Sequence, residues 1–215
     1  RRMTEPQYQE LHGIRALSAV DALSIAASSS KLKETQSLLD DGVDIDAIAS
    51  YSKRTALSAA CSQGATKAVA FLIAKGADVN SLDLDGSKPL MNACSLGKKK
   101  GFLAAQQLID AGADVNHVRP DERTALKAAI DGQNPDLLQL LIDNGAEIDG
   151  PEGTSQTALM LAARNGDVKL LTVLVENGAD RTLKCGLPWA ENRTAQGLAE
   201  LEKRRNAVSY FKSLD

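Results

Sequence analysis

Aromatic side chains are scarce: one Trp, three Tyr and three Phe in 215 residues. With 32 Ala and 29 Leu in the same chain, the core has to be thin, because small side chains fill little volume and packed interiors tolerate few voids. Short helices in close approach meet that condition; a large sheet-centred enzyme core does not. Histidine is nearly absent, with His12 and His117 alone. No HExxH, CxxC, GxSxG, P-loop or GxGxxG spacing occurs, so the sequence supplies no recognisable nucleophile, metal centre or phosphate cradle. The segment reads as non-catalytic, with no cofactor. No apolar run exceeds the seven residues Ala68 to Ala74, far short of a membrane span, and no basic-then-apolar leader opens the chain. Neither sign of charge dominates: 25 basic against 28 acidic side chains give −3, which argues against nucleic acid as a partner. Three cysteines make no disulfide framework, and free thiols suit a reducing, cytoplasmic compartment. The opening at Arg1, with Met3 third, is what a segment cut from a longer protein would show.

Self-comparison supplies the organising signal. Gly-Ala-Asp-Val-Asn occurs at Gly76 to Asn80 and again at Gly112 to Asn116. Relatives begin at Gly42, Gly145 and Gly178, and the five glycines are 34, 36, 33 and 33 residues apart. A second marker keeps phase: Leu23, Leu57, Leu90, Leu126 and Leu159, each after Ala or Pro, are spaced 34, 33, 36 and 33. In each unit a residue such as Thr55, Thr124 or Thr157 can cap a short first helix by accepting from an orphan backbone N–H. That helix ends near Gly64, Gly97, Gln133 or Gly166. A second helix follows, with apolar residues at helical spacing, as in Leu137, Leu138, Leu140 and Leu141. It stops at the repeated Gly, suited to the left-handed conformation beyond a helix C-terminus. Alternating residues and a polar turn then predict an extended finger or hairpin leading to the next unit.

This period, the Gly-Ala-Asp-Val-Asn segments and Lys88-Pro89-Leu90-Met91-Asn92-Ala93 resemble the ankyrin repeat. The resemblance implies an all-α solenoid of stacked helix-turn-helix units with β-hairpin finger loops. Five units cover residues 21–183, and 184–215 hold a loop and a degenerate capping repeat in which Thr194, Leu198, Ala199, Val208 and Phe211 keep the pattern. Residues 1–20 form an N-terminal capping helix, with Tyr8, Leu11, Ile14 and Leu17 on one face. Glu200 to Arg205 give the last unit the polar outer face that solenoids need. One departure stands out. The family's usual Thr-Pro-Leu-His lacks its His here, with Ser58, Lys127 or Met160 in that slot, so the Thr–His hydrogen bonding of the family is absent or replaced.

The resemblance also implies a function: a non-catalytic scaffold, monomeric, holding a partner protein or extended peptide in the groove between finger tips and first helices. An alternative is a substrate-recruiting or regulatory domain of a larger enzyme, or of a bacterial effector delivered into host cells. Carried onto matching positions, the finger candidates are Tyr51, Ser52, Arg54, Leu84, Asp85, Ser87, Asp121, Arg123, Thr154 and Gln156. The first-helix candidates are Ser62, Gln63, Ser95, Leu96, Asp131, Arg164 and Asn165. Tyr51, Arg54, Leu84, Arg123 and Arg164 are the preferred anchors, since aromatic and Arg side chains dominate interface hot spots. Trp189 is read as packing over the final repeat boundary. The family further implies that Asn80 and Asn116 could be substrates of an asparaginyl hydroxylase.

Several features have a plain structural reading beside a functional one. Cys61 and Cys94 share one slot of neighbouring units, where stacked helices lie roughly 8–10 Å apart, beyond disulfide reach, and read as small core residues. Cys185 reads as exposed. Lys98, Lys99 and Lys100, in an insertion of about three residues between the helices of unit three, read as a solvated turn or as a patch for an acidic surface. Asn192-Arg193-Thr194 reads as a chance match to a glycosylation acceptor. The fingers are acid-rich and the opposite turns basic, so the rod carries two signs. Either a basic partner segment lies along the fingers, or the acids serve only to solvate turns.

Overall fold

The computed structural model describes residues 18–97, 99–151 and 153–214. Their regular structure is helical, with no strand among them. Helices come in pairs, one pair per unit: α1 (Ala19–Ser28) with α2 (Leu32–Asp40), α3 (Ala56–Gln63) with α4 (Thr66–Ala74), and α5 (Pro89–Cys94) with α6 (Lys99–Asp110). They continue as α7 (Ala125–Asp131) with α8 (Pro135–Asp143), α9 (Ala158–Asn165) with α10 (Val168–Glu176), and α11 (Ala195–Leu201) with α12 (Arg205–Lys212). A single 3₁₀ turn, Pro188–Ala190, precedes the last pair. First helices stack on first helices and second on second.

The stacking follows from composition. Leu57, Leu90, Leu126 and Leu159 repeat one buried slot of the first helices, and Leu72, Leu108, Leu141 and Leu174 one slot of the second. Ala60, Ala93, Ala129 and Ala162 lie between them, all fully buried. Each such leucine contributes about 2 kcal/mol relative to exposure, and the alanines let the layers approach. Cys61 and Cys94 occupy one slot with Ile130 and Ala163, and burial pushes both thiols far up.

The helix ends obey the expected signals. Thr55, Thr124, Thr157 and Thr194 each accept from the backbone N–H three residues on. Gly76, past the end of α4, has φ +88° with open space where a Cβ would stand, so backbone conformation alone selects glycine there.

Three differences from expectation appear. The extra residues of unit three do not swell a turn: they lengthen α6 to 12 residues, against nine in α2, α4, α8 and α10. Gly101 makes this possible, because a Cβ there would stand 2.5 Å from the carbonyl oxygen of Leu96. The first unit opens earlier than residue 21, with Ser18 capping α1 and Asp21 inside the helix; the helix expected further back, and Lys98, lie outside the described residues. The fingers are not strand hairpins. Four of them are closed by a backbone bond at the neck: Ala49 N to Arg54 O (2.9 Å), Asp83 N to Ser87 O (2.8 Å), Arg119 N to Arg123 O (3.0 Å) and Cys185 N to Arg193 O (2.9 Å).

At the base of the fingers one side-chain oxygen per unit holds the next. Asp46, Asn80, Asn116 and Asp149 accept from the backbone N–H of Asp78, Asp114, Glu147 and Asp180, at 2.8 to 3.1 Å. The two asparagines also donate onward, Asn80 to Gly112 O (3.1 Å) and Asn116 to Gly145 O (2.9 Å). A carboxylate cannot donate. Desolvation, with Asp78 nearby, raises the Asp46 carboxyl, and desolvation with Asp180 nearby raises that of Asp149. Asp149→Asn is therefore expected to stabilise the chain by about 0.5–1.5 kcal/mol near neutral pH. A native carboxyl raised above its unfolded value recovers stability on protonation, so the gain should be smaller in acid than at neutral pH. Urea midpoints at both pH values check this, and an unchanged or lower midpoint for the variant at neutral pH would refute it.

Candidate functional site

The groove runs along the exposed ends of the first helices, under the fingers. Its two halves differ. In units two and three the floor is small and self-satisfied: Ser62 Oγ donates to Ala59 O (2.9 Å) and Ser95 Oγ to Met91 O (3.1 Å). Gln63 is exposed and Leu96 half-buried. Above this floor stand the finger tips, where Tyr51 is 80% and Leu84 66% exposed. Leu84 N donates to Lys53 O (3.0 Å), which locks the two tips side by side. Two large apolar side chains thus face solvent from a fixed platform.

In units four and five the same groove is charged. Arg123 Nη2 pairs with Asp131 Oδ2 (2.7 Å), and Asp121 Oδ1 accepts from Arg119 Nε (3.1 Å). Asp121, Arg123, Asp131 and Gln156 come together around a hollow of about 410 Å³, with Leu161 and Leu187 on its wall. Arg164 and Asn165 lie on α9, and Arg164 Cζ sits 4.5 Å from the centroid of the Trp189 ring. Trp189 does bridge the last boundary, yet it is 44% exposed rather than packed away. Cys185 corrects another expectation: it is fully buried, with its N–H bonded to Arg193 O across the neck of the last finger.

Other candidates serve the fingers themselves. Ser87 is buried, and its Oγ accepts from Arg119 Nη1 (2.9 Å), which also reaches Asp85 Oδ2 (3.0 Å). Ser52 Oγ lies 3.1 Å from Ser24 Oγ of the preceding unit. Arg54 Nε stands 3.7 Å from the buried Asp83, whose oxygens accept from Thr55 N and Asn92 Nδ2 and whose carboxyl burial pushes up. Thr154 Oγ1 accepts from Lys127 Nζ (3.3 Å).

This network answers the missing histidine. Lys127, in that slot, also donates to Glu122 O (2.8 Å), and burial lowers its ammonium despite Glu122 and Asp121. Met160 Sδ accepts from Thr157 N (3.4 Å), whereas Ser58, in the same slot, is buried beside the Asp83 carboxyl. Glu122 accepts from Ser155 N and Ser155 Oγ, both 2.8 Å, and those bonds hold its carboxyl low. His117 Nε2 lies 2.8 Å from Gly86 O. Residue-by-residue reading missed Arg119, Glu122 and His117, because their partners are 31 to 34 positions away.

A family model described as ankyrin repeats (3 copies) matches residues 23–104 and again 90–185. The chain belongs to the ankyrin-repeat family. Ankyrin repeats are generally protein–protein interaction modules and typically non-catalytic. Among the described residues no helix is long and apolar enough to cross a membrane, and no group of three or more His, Cys, Asp or Glu side chains is placed to hold a metal ion. Asn80 and Asn116, the family's hydroxylation candidates, are engaged in the inter-unit ladder through both Oδ1 and Nδ2. A wider hollow, about 1150 Å³, lies on the opposite edge of the ankyrin stack between Phe102 and Leu103 of the long α6 and the starts of α8 and α10.

The first ankyrin junction carries its own pH sensitivity. Asp21 accepts from Tyr51 N (2.9 Å), Ser50 Oγ (2.7 Å) and Ser18 Oγ (2.8 Å), which hold its carboxyl down from 3.8 to about 2. A carboxyl lowered by folding stabilises the native state above its unfolded value, and that contribution is lost as the pH falls. Asp21→Asn should therefore flatten the acid limb between pH 3.8 and about 2. Amide exchange of Tyr51 across that window is the measurement, and identical profiles for the two proteins would refute the assignment.

Proposed function

We propose that this chain is a non-catalytic binding module that holds a partner protein or extended peptide along its concave groove and finger tips. It acts as a monomer in the cytoplasm. One observation carries the reading: Tyr51 and Leu84 stand exposed on neighbouring tips whose backbones are bonded together. Large side chains carried on a fixed backbone spare the cost of ordering the loop on docking, so more of their burial goes into affinity. The polar outer side of the last unit, with Glu200, Glu202, Lys203, Arg204 and Arg205 all exposed, supports a closed end rather than further stacking. Fully buried free thiols agree with a reducing compartment.

The partner's electrostatic match is a basic segment. Acids at the finger tips are engaged with neighbours, but those at the finger bases face water: Asp40, Asp41, Asp44, Asp78, Asp110, Asp143, Glu147, Glu176 and Asp180. Among the ion pairs of the described residues, Lys88 to Asp114 (2.8 Å) is the one that reaches this strip. A strip with such an excess of acid, interrupted by Lys75 and Arg181, steers an oppositely charged partner into register.

Tyr51→Ala combined with Leu84→Ala tests the groove directly. Both side chains are exposed, so the melting temperature should stay close to wild type while binding of captured partners weakens by at least about tenfold. Raising the salt should weaken wild-type binding further through screening of the strip. Capture by affinity pull-down, followed by titration of each partner, gives the answer. Partners that bind the double variant as tightly as wild type would overturn the reading.

A further inference from the structure

The second residue of each second helix falls at one place in its unit, on the edge opposite the fingers. In order along the stack these residues are Lys33, Lys67, Lys100, Asp136, Lys169 and Asn206. Four of the six are lysine, and all four are exposed. Among the described residues none of the four makes an ion pair or a side-chain hydrogen bond. The first turn of a helix is the positive end of its macrodipole and disfavours cations. Neither α2 nor α4 has a side-chain cap to offset that cost. Fold stability therefore does not account for the row. Glutamate would solvate these turns equally well and suit the helices better.

The line continues into the hollow of about 1150 Å³, whose wall includes Asp136, Lys169 and Asn206 from this same slot and Leu103, Pro135 and Val168 as apolar surface. Leu103 is 43% exposed. Other acids along the edge are engaged: Glu34 pairs with Lys31 (3.1 Å), and Asp167 accepts from the N–H groups of Lys169 (3.0 Å) and Leu170 (3.2 Å). Asp136 is exposed and makes no ion pair, so the positive row breaks at the hollow. The lengthened α6 carries Lys100 onto the preceding turn, where a Cβ on Gly64 would stand 2.7 Å from Lys100 Cβ. Stacked helices lie roughly 8–10 Å apart, which sets the step from one lysine to the next. In an extended chain of polyproline type, residues three apart share a face and lie about 9.3 Å from each other. The two steps agree.

We propose that this edge is a second interaction surface, separate from the groove, for an extended acidic segment of a partner protein. Acids at every third position meet Lys33, Lys67 and Lys100, and an apolar side chain one step further on enters the hollow beside Leu103. An acid at that step would face Asp136. A nucleic acid is disfavoured for the same reason, since its phosphates recur without a gap, and a bilayer surface does not fill a hollow.

The probes are two fluorescein-labelled peptides. One is Gly-Leu-Pro-Pro-Glu-Pro-Pro-Glu-Pro-Pro-Glu-Pro-Pro-Leu-amide, labelled on its glycine, with a leucine at each end so that either direction is allowed. The other has Gln for each Glu. By anisotropy at low salt, the Glu peptide should bind the full chain at least about threefold more tightly than the Gln peptide. Lys33→Gln, Lys67→Gln and Lys100→Gln together should abolish that preference. The melting temperature of this triple variant should hold or rise, because cations leave first turns. Lys53→Gln, Lys75→Gln and Lys184→Gln, at exposed positions off this edge, should leave the preference intact. Leu103→Ala should weaken both peptides by about twofold or more. The Tyr51 and Leu84 double variant should bind them as wild type does, which keeps the result separable from the groove reading. No binding of the Glu peptide up to about 1 mM, equal affinity of the two peptides for wild type, or a preference that survives the edge variant would overturn the proposal. Tighter lysine-dependent binding to vesicles of phosphatidylcholine and phosphatidylserine in equal parts, or to a short DNA duplex, would overturn it in favour of that class of ligand.

Discussion

Close approach of small side chains is the constraint from which the rest follows. A unit of two short helices cannot bury its apolar face alone, so each depends on the next. The step between units is set by Ala60, Ala93, Ala129 and Ala162 in the first helices and by leucines of equal length beside them. A constant step brings the base of every finger to the same distance from its neighbour. Only then can a single short side chain, Asp46, Asn80, Asn116 or Asp149, reach the next backbone N–H at 2.8 to 3.1 Å. The ladder is thus a consequence of the packing. It also reports on it, since a change in spacing would lengthen these bonds in series.

The lengthened α6 shows how the step survives an insertion. Three extra residues in a turn would have pushed neighbouring turns apart. Wound into the helix instead, they project along its axis and leave the lateral spacing alone. The requirement is that the added turn pass close to carbonyl oxygens at the end of α5, and Gly101 meets it. The added turn also raises Phe102 and Leu103 beside the starts of α8 and α10, which creates the hollow on that edge.

Fold class was legible because the period is written in residues with local roles. Thr caps, the glycines with left-handed backbone and the Leu-Ala slots act within one unit, and sequence spacing captures local roles directly. The proposed binding surface was legible only in part. Tyr51 and Leu84 could be placed because a finger tip has few neighbours. Ser87 could not, because its burial depends on Arg119, 32 residues on. Cys185 misled for a related reason: it looks like a loop residue in sequence, but the last finger folds its neck over the preceding unit, with Gly186 N bonded to Ser155 O at 2.8 Å. The missing histidines were visible, whereas their replacement by Lys127, spanning Glu122 O and Thr154 Oγ1, required three backbones to be positioned first.

The acidic strip is harder to explain by stability. Asp40, Asp110 and Asp143 sit in the last turns of their helices, where the macrodipole disfavours negative charge. Each is tethered by a glutamine one turn earlier: Gln36 to Asp40, Gln106 to Asp110 and Gln139 to Asp143. The same Gln–Asp device recurs in three units, so the carboxylates are held in place rather than merely tolerated. Lysine at those positions would favour the helix and still solvate the turn. Lys75 and Arg181 interrupt the row, but the finger bases carry a clear excess of acid, and that excess is the property a basic partner segment would use.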